Sequence, residues 1–159
     1  MGMEKRMQIC RLYKRHLTKM LDLVRHVFDE CDRKDYEEQG IRTFEYFIRR
    51  ENMEQYMESG DMVFFGAYVS SQLVGVVAMR NGVHISLLFV DKEYQRKGVA
   101  KCLVRRAAAY SLQQDPALKH ITVNASPNGV PAYLAMGFYP LSAEQKKEGM
   151  RFTPMRIDL

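Results

Sequence analysis

The stretch LLFVDKEYQRKGVAKCLV, residues 87–104, joins an apolar run to an amphipathic one through Gln95-Arg96-Lys97-Gly98-Val99-Ala100. Those residue types in that order suit one kind of chemistry, the holding of an anion. A helix that opens near Gly98 leaves its first four backbone N–H groups without internal partners. Its dipole favours negative charge at that end, and glycine lets a ligand approach the backbone. Arg96 and Lys97 add positive charge at the rim. The same residues also suit a plain strand-to-helix connection, in which Gly98 only relieves strain and the basic side chains are solvated, because short glycine loops recur by chance.

Other chemical constellations are missing. Cys10, Cys31 and Cys102 are odd in number, far apart and set among core-like neighbours, which argues for reduced thiols rather than a disulfide frame or a thiolate site. His16, His26, His84 and His120 show no paired spacing, so no metal is expected. Cys102 has no histidine or acid at suitable spacing and reads as a small buried hydrophobe, not a nucleophile.

The elements that must position such a loop follow from periodicity. At 159 residues, 47% hydrophobic and 27% charged, the chain fits a single globular domain, 1–159, with a real core. It has no apolar run long enough to span a membrane and begins without a signal-peptide core, so a cytoplasmic location is expected. The formal charge of +5 is spread along the chain and interleaved with acids. That weakens a nucleic-acid role, although a local anion site needs only a few of these charges. MQICRLYK opens as a short strand. Leu17, Met20, Leu21, Val24, Val27 and Phe28 recur at helical spacing, residues 29–40 read as loop, and TFEYFIRRENMEQYM reads as one helix with Thr43 as N-cap and a stop at Ser59-Gly60.

The pattern then turns β-rich. MVFFGAYVS and QLVGVVAMR form a hairpin about Ser70-Ser71, and Asn81-Gly82 turns the chain into VHISLLFV. The helix GVAKCLVRRAAAYSLQQ follows, then the strand KHITVNAS, a short helix ending at Gly137, and two last strands, FYPLS and MRFTPMRIDL. Pro154 inside the final strand suggests an edge position or a bulge. The order β, α, α, βββ, α, β, α, ββ implies an α/β (α+β) fold, a predominantly antiparallel mixed sheet flanked by helices.

The hexapeptide Gln95–Ala100 after an apolar strand resembles the coenzyme A pyrophosphate loop of the GCN5-related N-acetyltransferase (GNAT) family. A second segment, ITVNASPNGVPAYLAMGF at 121–138, is similar to that family's strand, Asn, short helix and Tyr-x-x-x-Gly-Phe. The likeness covers residues 61–159 and implies a GNAT-like acyl-CoA N-acyltransferase fold, with acetyl-CoA as cosubstrate and a primary amine as acceptor. It also implies residue roles. Leu88, Phe89 and Val90 would pair through their backbone with the pantetheine arm, as an added strand does. The amides of Arg96, Lys97, Gly98, Val99 and Ala100, introduced by Gln95 and followed by Lys101, would hold the pyrophosphate, and Asn124 would bond the arm. Tyr133 would protonate the leaving thiolate.

The resemblance leaves the base unassigned. The strand HISLLFV holds no acid; Ser86 could relay through water, His84 could titrate near neutrality but reads as turn-proximal, and Asp29, Glu30, Asp35 and Glu37 are candidates by location only. A non-catalytic acyl-CoA sensor of the same fold is the alternative function. Whether the chain pairs as a homodimer the sequence leaves open.

Overall fold

The computed structural model describes residues 7–159. Strand β1 (Met7–Leu12) leads into α1 (Leu17–Val27), α2 (Glu38–Phe47) and α3 (Arg50–Ser59). The strands β2 (Met62–Val69), β3 (Gln72–Arg80) and β4 (His84–Val90) follow, then α4 (Val99–Gln114), β5 (His120–Ala125), α5 (Val130–Met136), β6 (Tyr139–Pro140), β7 (Gln145–Lys147) and β8 (Met150–Asp158). The sheet order is β1-β2-β3-β4-β5-β8-β6, with β7 paired to β8. Every pairing is antiparallel except β4 with β5. No described helix is long and apolar enough to cross a membrane.

Two cores sandwich the sheet. The α1 stripe Leu17, Met20, Leu21, Val24 and Val27 packs with Phe64, Val76, Ala78 and Leu87 on one face. Val99, Leu103, Val104 and Ala107 of α4 pack with Phe65, Val77, Met79 and Val123 on the other. Each buried Val, Leu, Met or Phe among them contributes roughly 1.5–3 kcal/mol.

The turns form where the sequence places them. Ser70 and Ser71, at φ 50° and 68°, form the left-handed pair of a two-residue hairpin, and Asn81 and Gly82, at φ 51° and 73°, take the same pair within the three-residue loop between Arg80 and His84. Gly60 stops α3 at φ 79°.

Other readings change. The expected loop 29–40 is mostly helical: α1 runs on through a π turn at Phe28–Asp32 and a 3-10 turn at Arg33–Asp35, and α2 starts at Glu38. The single helix expected over 43–57 is two, broken at Ile48 and Arg49, where Arg49 is extended (φ −54°, ψ 141°). The reason is phase. At ~100° per residue, nine residues turn about two and a half times, so a straight helix would aim Met53 away from Phe44. The break lets Phe44, Ile48 and Met53 enter one core, at 6%, 1% and 0% exposure. Thr43 is no N-cap; its hydroxyl donates to the Gln39 or Glu148 carbonyl.

Strand β7 was not expected, because Gln145–Lys147 is wholly exposed and has no apolar alternation. Pro154 lies neither at the sheet edge nor at a bulge, since β8 pairs with β5 and with β6. The Pro154 carbonyl accepts from Leu141 N–H, so its missing donor faces the gap between the β6 and β7 ladders, where it breaks no pair.

Candidate active site

The site begins with a register irregularity. Ala78 opposes Leu87 but Met79 opposes Ile85, so Ser86 is an extra residue in β4. The bulge inverts the side-chain alternation: Ile85, Leu88 and Val90 face the α4 core, while Leu87 and Phe89 face α1. It also bends the strand. β4 meets β5 only at His84–Thr122 and Ile85–Val123, and beyond these the two strands diverge. The β4 groups that would have faced β5 from Ser86 onward lose their strand partner. A cleft of about 1280 Å³ occupies the split.

Its lining gathers nearly all the residues singled out above. Leu88, Phe89, Val90, Gln95, Arg96, Gly98, Val99, Ala100, Lys101, Asn124 and Tyr133 all border it. Lys97 does not; its Nζ lies 6.0 Å from the Tyr94 ring centroid. Cys102 is half-buried and also outside the lining.

Residues 95–100 form an open cradle. Gln95 Nε2 donates to the Val90 carbonyl at 2.9 Å and reaches Cys31 Sγ at 3.7 Å, which ties the loop to the end of α1. Arg96 and Gly98 are left-handed, at φ 62° and 84°. Among the described residues, the N–H groups of Arg96, Lys97 and Gly98 find no backbone acceptor, and the Cys102 N–H to Gly98 carbonyl bond, 3.0 Å, is the first turn of α4. A Cβ at Gly98 would meet nothing within 4 Å. Glycine is therefore needed here for its φ and for ligand approach, not for internal packing.

Beside the cradle lies a polar cluster that the sequence reading missed. Asp32, in the π turn, is only 6% exposed, and Ser126 Oγ donates to its Oδ1 at 3.3 Å. Burial pushes this carboxyl up to about 6; Asp35 adds to the rise, and hydrogen bonds from Ser126 and Asn128 oppose it. Such a group takes and releases a proton near neutral pH. Tyr133, 6% exposed, packs edge-on against Phe138 with centroids 5.2 Å apart. Burial, and then the charge of Asp32, push its phenol well above the usual range, so it stays protonated. Tyr36 is pushed up in the same way, by burial and then by Asp32 and Asp35.

The acids named by location lie elsewhere. Asp29 is exposed and paired with Arg33, Glu30 with His26, and Glu37 with Lys146. Asp35 is half-buried and acts on Asp32 through its field. A signal for Asp32 did exist. The stripe Leu17, Leu21, Val24, Phe28 continues at position 32, and an acid on a buried stripe is an anomaly. His84, two residues past the Asn81-Gly82 turn, opens β4, lines the cleft and pairs Nδ1 with Thr122 Oγ1 at 2.8 Å. Ser86 is half-buried in the lining. Among the described residues, no group of three or more His, Cys, Asp or Glu is arranged to hold a metal.

The hairpin of β7 and β8 closes one wall. Gly40 of α2 meets Gly149 so closely that a Cβ at Gly40 would stand 2.6 Å from the Gly149 carbonyl carbon. Thr43 Oγ1 to the Glu148 carbonyl (3.0 Å) and Lys146 Nζ to Glu37 Oε1 (2.9 Å) add to the seam.

Comparison with known proteins agrees with this geometry. A family model described as an acetyltransferase (GNAT) domain matches residues 32–159. No curated protein matches the chain. Among solved structures, the PaiA N-acetyltransferase of Thermoplasma acidophilum in complex with coenzyme A superposes with a TM-score of 0.78 at 18% identity, covering 96% of this chain and 99% of that one. A GCN5-related N-acetyltransferase from Rhodopseudomonas palustris gives 0.79 at 16% identity, covering 96% and 95%. A mutant spermidine N-acetyltransferase from Vibrio cholerae gives 0.67 at 17%, covering 97% and 94%. The family match embraces both the free-amide loop and the Asn124–Tyr133 segment that flank the cleft, and the chain belongs to the GNAT acetyltransferase family.

Proposed function

We propose that this acetyltransferase binds acetyl-CoA in the β4–β5 split and moves its acetyl group to a primary amine by direct attack in a ternary complex. One observation carries the reading: a cradle of unpaired amides and a carboxyl titrating near neutrality border the same cleft as a buried, protonated phenol. The pyrophosphate takes the amides of residues 96–100, with Arg96 and Lys101 supplying positive charge. The pantetheine arm lies along Leu88-Phe89-Val90 as an added strand and meets Asn124 on β5.

Asp32 accepts a proton from the acceptor ammonium, directly or through a water, and passes it to solvent. The freed nitrogen attacks the thioester carbonyl and the C–N bond forms; Asp32, emptied to solvent, or a water takes the second proton from the adduct nitrogen, and the C–S bond breaks as the adduct collapses to the amide. Tyr133 donates to the departing sulfur. Its pKa lies above a thiol's ~8.5, so its proton moves only as charge builds on sulfur. Tyr133 recovers a proton from solvent once CoA has left. Cys102, outside the cleft lining, favours this route over an acyl-enzyme.

The test is CoA release from acetyl-CoA with a panel of polyamines, amino acids, aminoglycosides and peptides. Amine-dependent release with a matching acetylamide supports transfer. Acetyl-CoA binding without turnover across the panel would instead identify an acyl-CoA sensor.

A further inference from the structure

The far end of the cleft carries a charge that acetyl transfer leaves unused. Arg80, the last residue of β3, is half-buried, lines the cleft and is the register partner of His84. A guanidinium has five N–H donors. Among the described residues, one of them finds an acceptor, the Tyr56 hydroxyl on α3, and Cζ lies 4.8 Å from that ring's centroid. No carboxylate among the described residues comes within ion-pair distance of it. Arg151, the other arginine on the acceptor side of the lining, is instead held by Glu144 at 3.0 Å. The neighbouring His84 is pushed down, first by burial and then by the charge of Arg80, so it stays neutral and screens nothing.

A half-buried guanidinium with most of its donors free is poorly satisfied by protein alone and matches the two-pronged geometry of carboxylate or phosphate. Between Arg80 and the Asp32–Tyr133 end the lining is largely apolar and aromatic, with Phe44, Phe47, Leu87 and Phe89. Among the described residues, only two acids border the cleft: Asp32 at the reacting end and Glu148, exposed on the hairpin. We infer that the acceptor is a small primary amine that carries an anionic group, carboxylate or phosphate, at its other end, and that Arg80 binds that group. This rests on the transferase reading above. Leu87 and Leu88 lie opposite Ala78 and Val77, two to three strand residues from Arg80 once the Ser86 bulge is discounted, about 7–10 Å at ~3.3 Å per residue, so amine and anion are well separated along the acceptor. A diamine would set its second ammonium against Arg80 with no acid to offset it.

The test uses acceptors of one length: hexylamine, 1,6-diaminohexane, 6-aminohexanoate and 6-aminohexyl phosphate, read as kcat/KM for CoA release. The two anionic amines are expected to exceed hexylamine by about tenfold or more, as one charge-assisted bidentate contact gives, with the diamine lowest. The larger of the two anionic values distinguishes carboxylate from phosphate. In Arg80→Met the ratio of anionic acceptor to hexylamine falls towards one. Arg80→Lys, which keeps the charge but not the fork, restores part of it and serves in place of Arg80→Met if that variant does not fold. Preference for the diamine, indifference to the terminal group, or an equal loss for all four acceptors in Arg80→Met overturns the inference. If no amine turns over, the transferase reading fails separately. Calorimetric titration of 6-aminohexanoate and 6-aminohexyl phosphate into the CoA-saturated protein then decides: Arg80-dependent binding upholds the subsite, and its absence overturns it.

Discussion

Replacing Asp32 with Asn should slow the enzyme and stabilise it at once. The carboxyl is raised from 3.8 to about 6, chiefly by burial. A carboxyl with a raised folded pKa adds most stability below its unfolded pKa, loses it as pH climbs from about 4 to about 6, and adds none above that. The shift is worth about 3 kcal/mol at 1.36 kcal/mol per unit, so at pH 7 the folded chain carries a buried carboxylate at about that cost. Asn has the same shape without the charge and can still accept from Ser126. At pH 7, Asp32→Asn should recover part of that cost and raise Tm by several degrees in thermal unfolding, since ~1 kcal/mol moves a domain of this size by roughly 2–4 °C. In the same variant kcat/KM should fall about 10²-fold or more, as loss of a general base predicts. Wild-type activity should drop below pH about 6 as Asp32 takes up its proton. The acceptor's own titration is common to both proteins, so the wild-type to variant ratio should shrink towards acid pH. Two results would refute the reasoning: an unchanged ratio across pH, or a variant that loses stability along with rate. Either makes Asp32 an anchor between α1 and the β5–α5 turn rather than a base.

Tyr133→Phe should lower kcat by about 10²-fold while acetyl-CoA affinity, read by calorimetry, stays within a few-fold; unchanged turnover would remove the acid role. Gly98→Glu places a strained, negatively charged side chain at φ 84° in the amide cradle and should abolish acetyl-CoA binding while circular dichroism remains native. Gly40→Ala drives a methyl into the Gly149 carbonyl and should cost about 1–3 kcal/mol in denaturant unfolding, with the cofactor affinity kept. Ser111 is 3% exposed with a hydroxyl that has no partner among the described residues, so Ser111→Ala should leave chemical-denaturation stability unchanged or raise it by about 1 kcal/mol.

Much of the fold was legible because its signals act over a few residues. Asn81-Gly82 and Ser70-Ser71 set hairpins through backbone φ alone, and Gly60, Gly98 and Gly137 mark helix ends by the same property. The α1 stripe and the strand–loop–helix around Gly98 are local too, which is why the loop proposed to hold the cofactor stood out. The errors share a different cause. The break at Ile48–Arg49 satisfies the phase of a core that also contains Phe64 and Leu87, and no window along the helix reveals that partner. Strand β7 exists only through its pairing with β8.

The same division runs through the site. Sequence by itself determined the glycine loop with its free amides, the tyrosine with its short helix, and the order in which they flank the sheet, because each is a run of neighbours whose backbone needs are local. Tertiary structure decided what faces them. The bulge at Ser86 depends on register against β3. Asp32 becomes a candidate base only when the π turn buries it against Ser126, 94 residues away. Arg80 becomes a free cation only because no acid on α2, α3 or the closing hairpin reaches it. Desolvation and charge pairing are set by what packs around a group in space, and the chain order does not encode them.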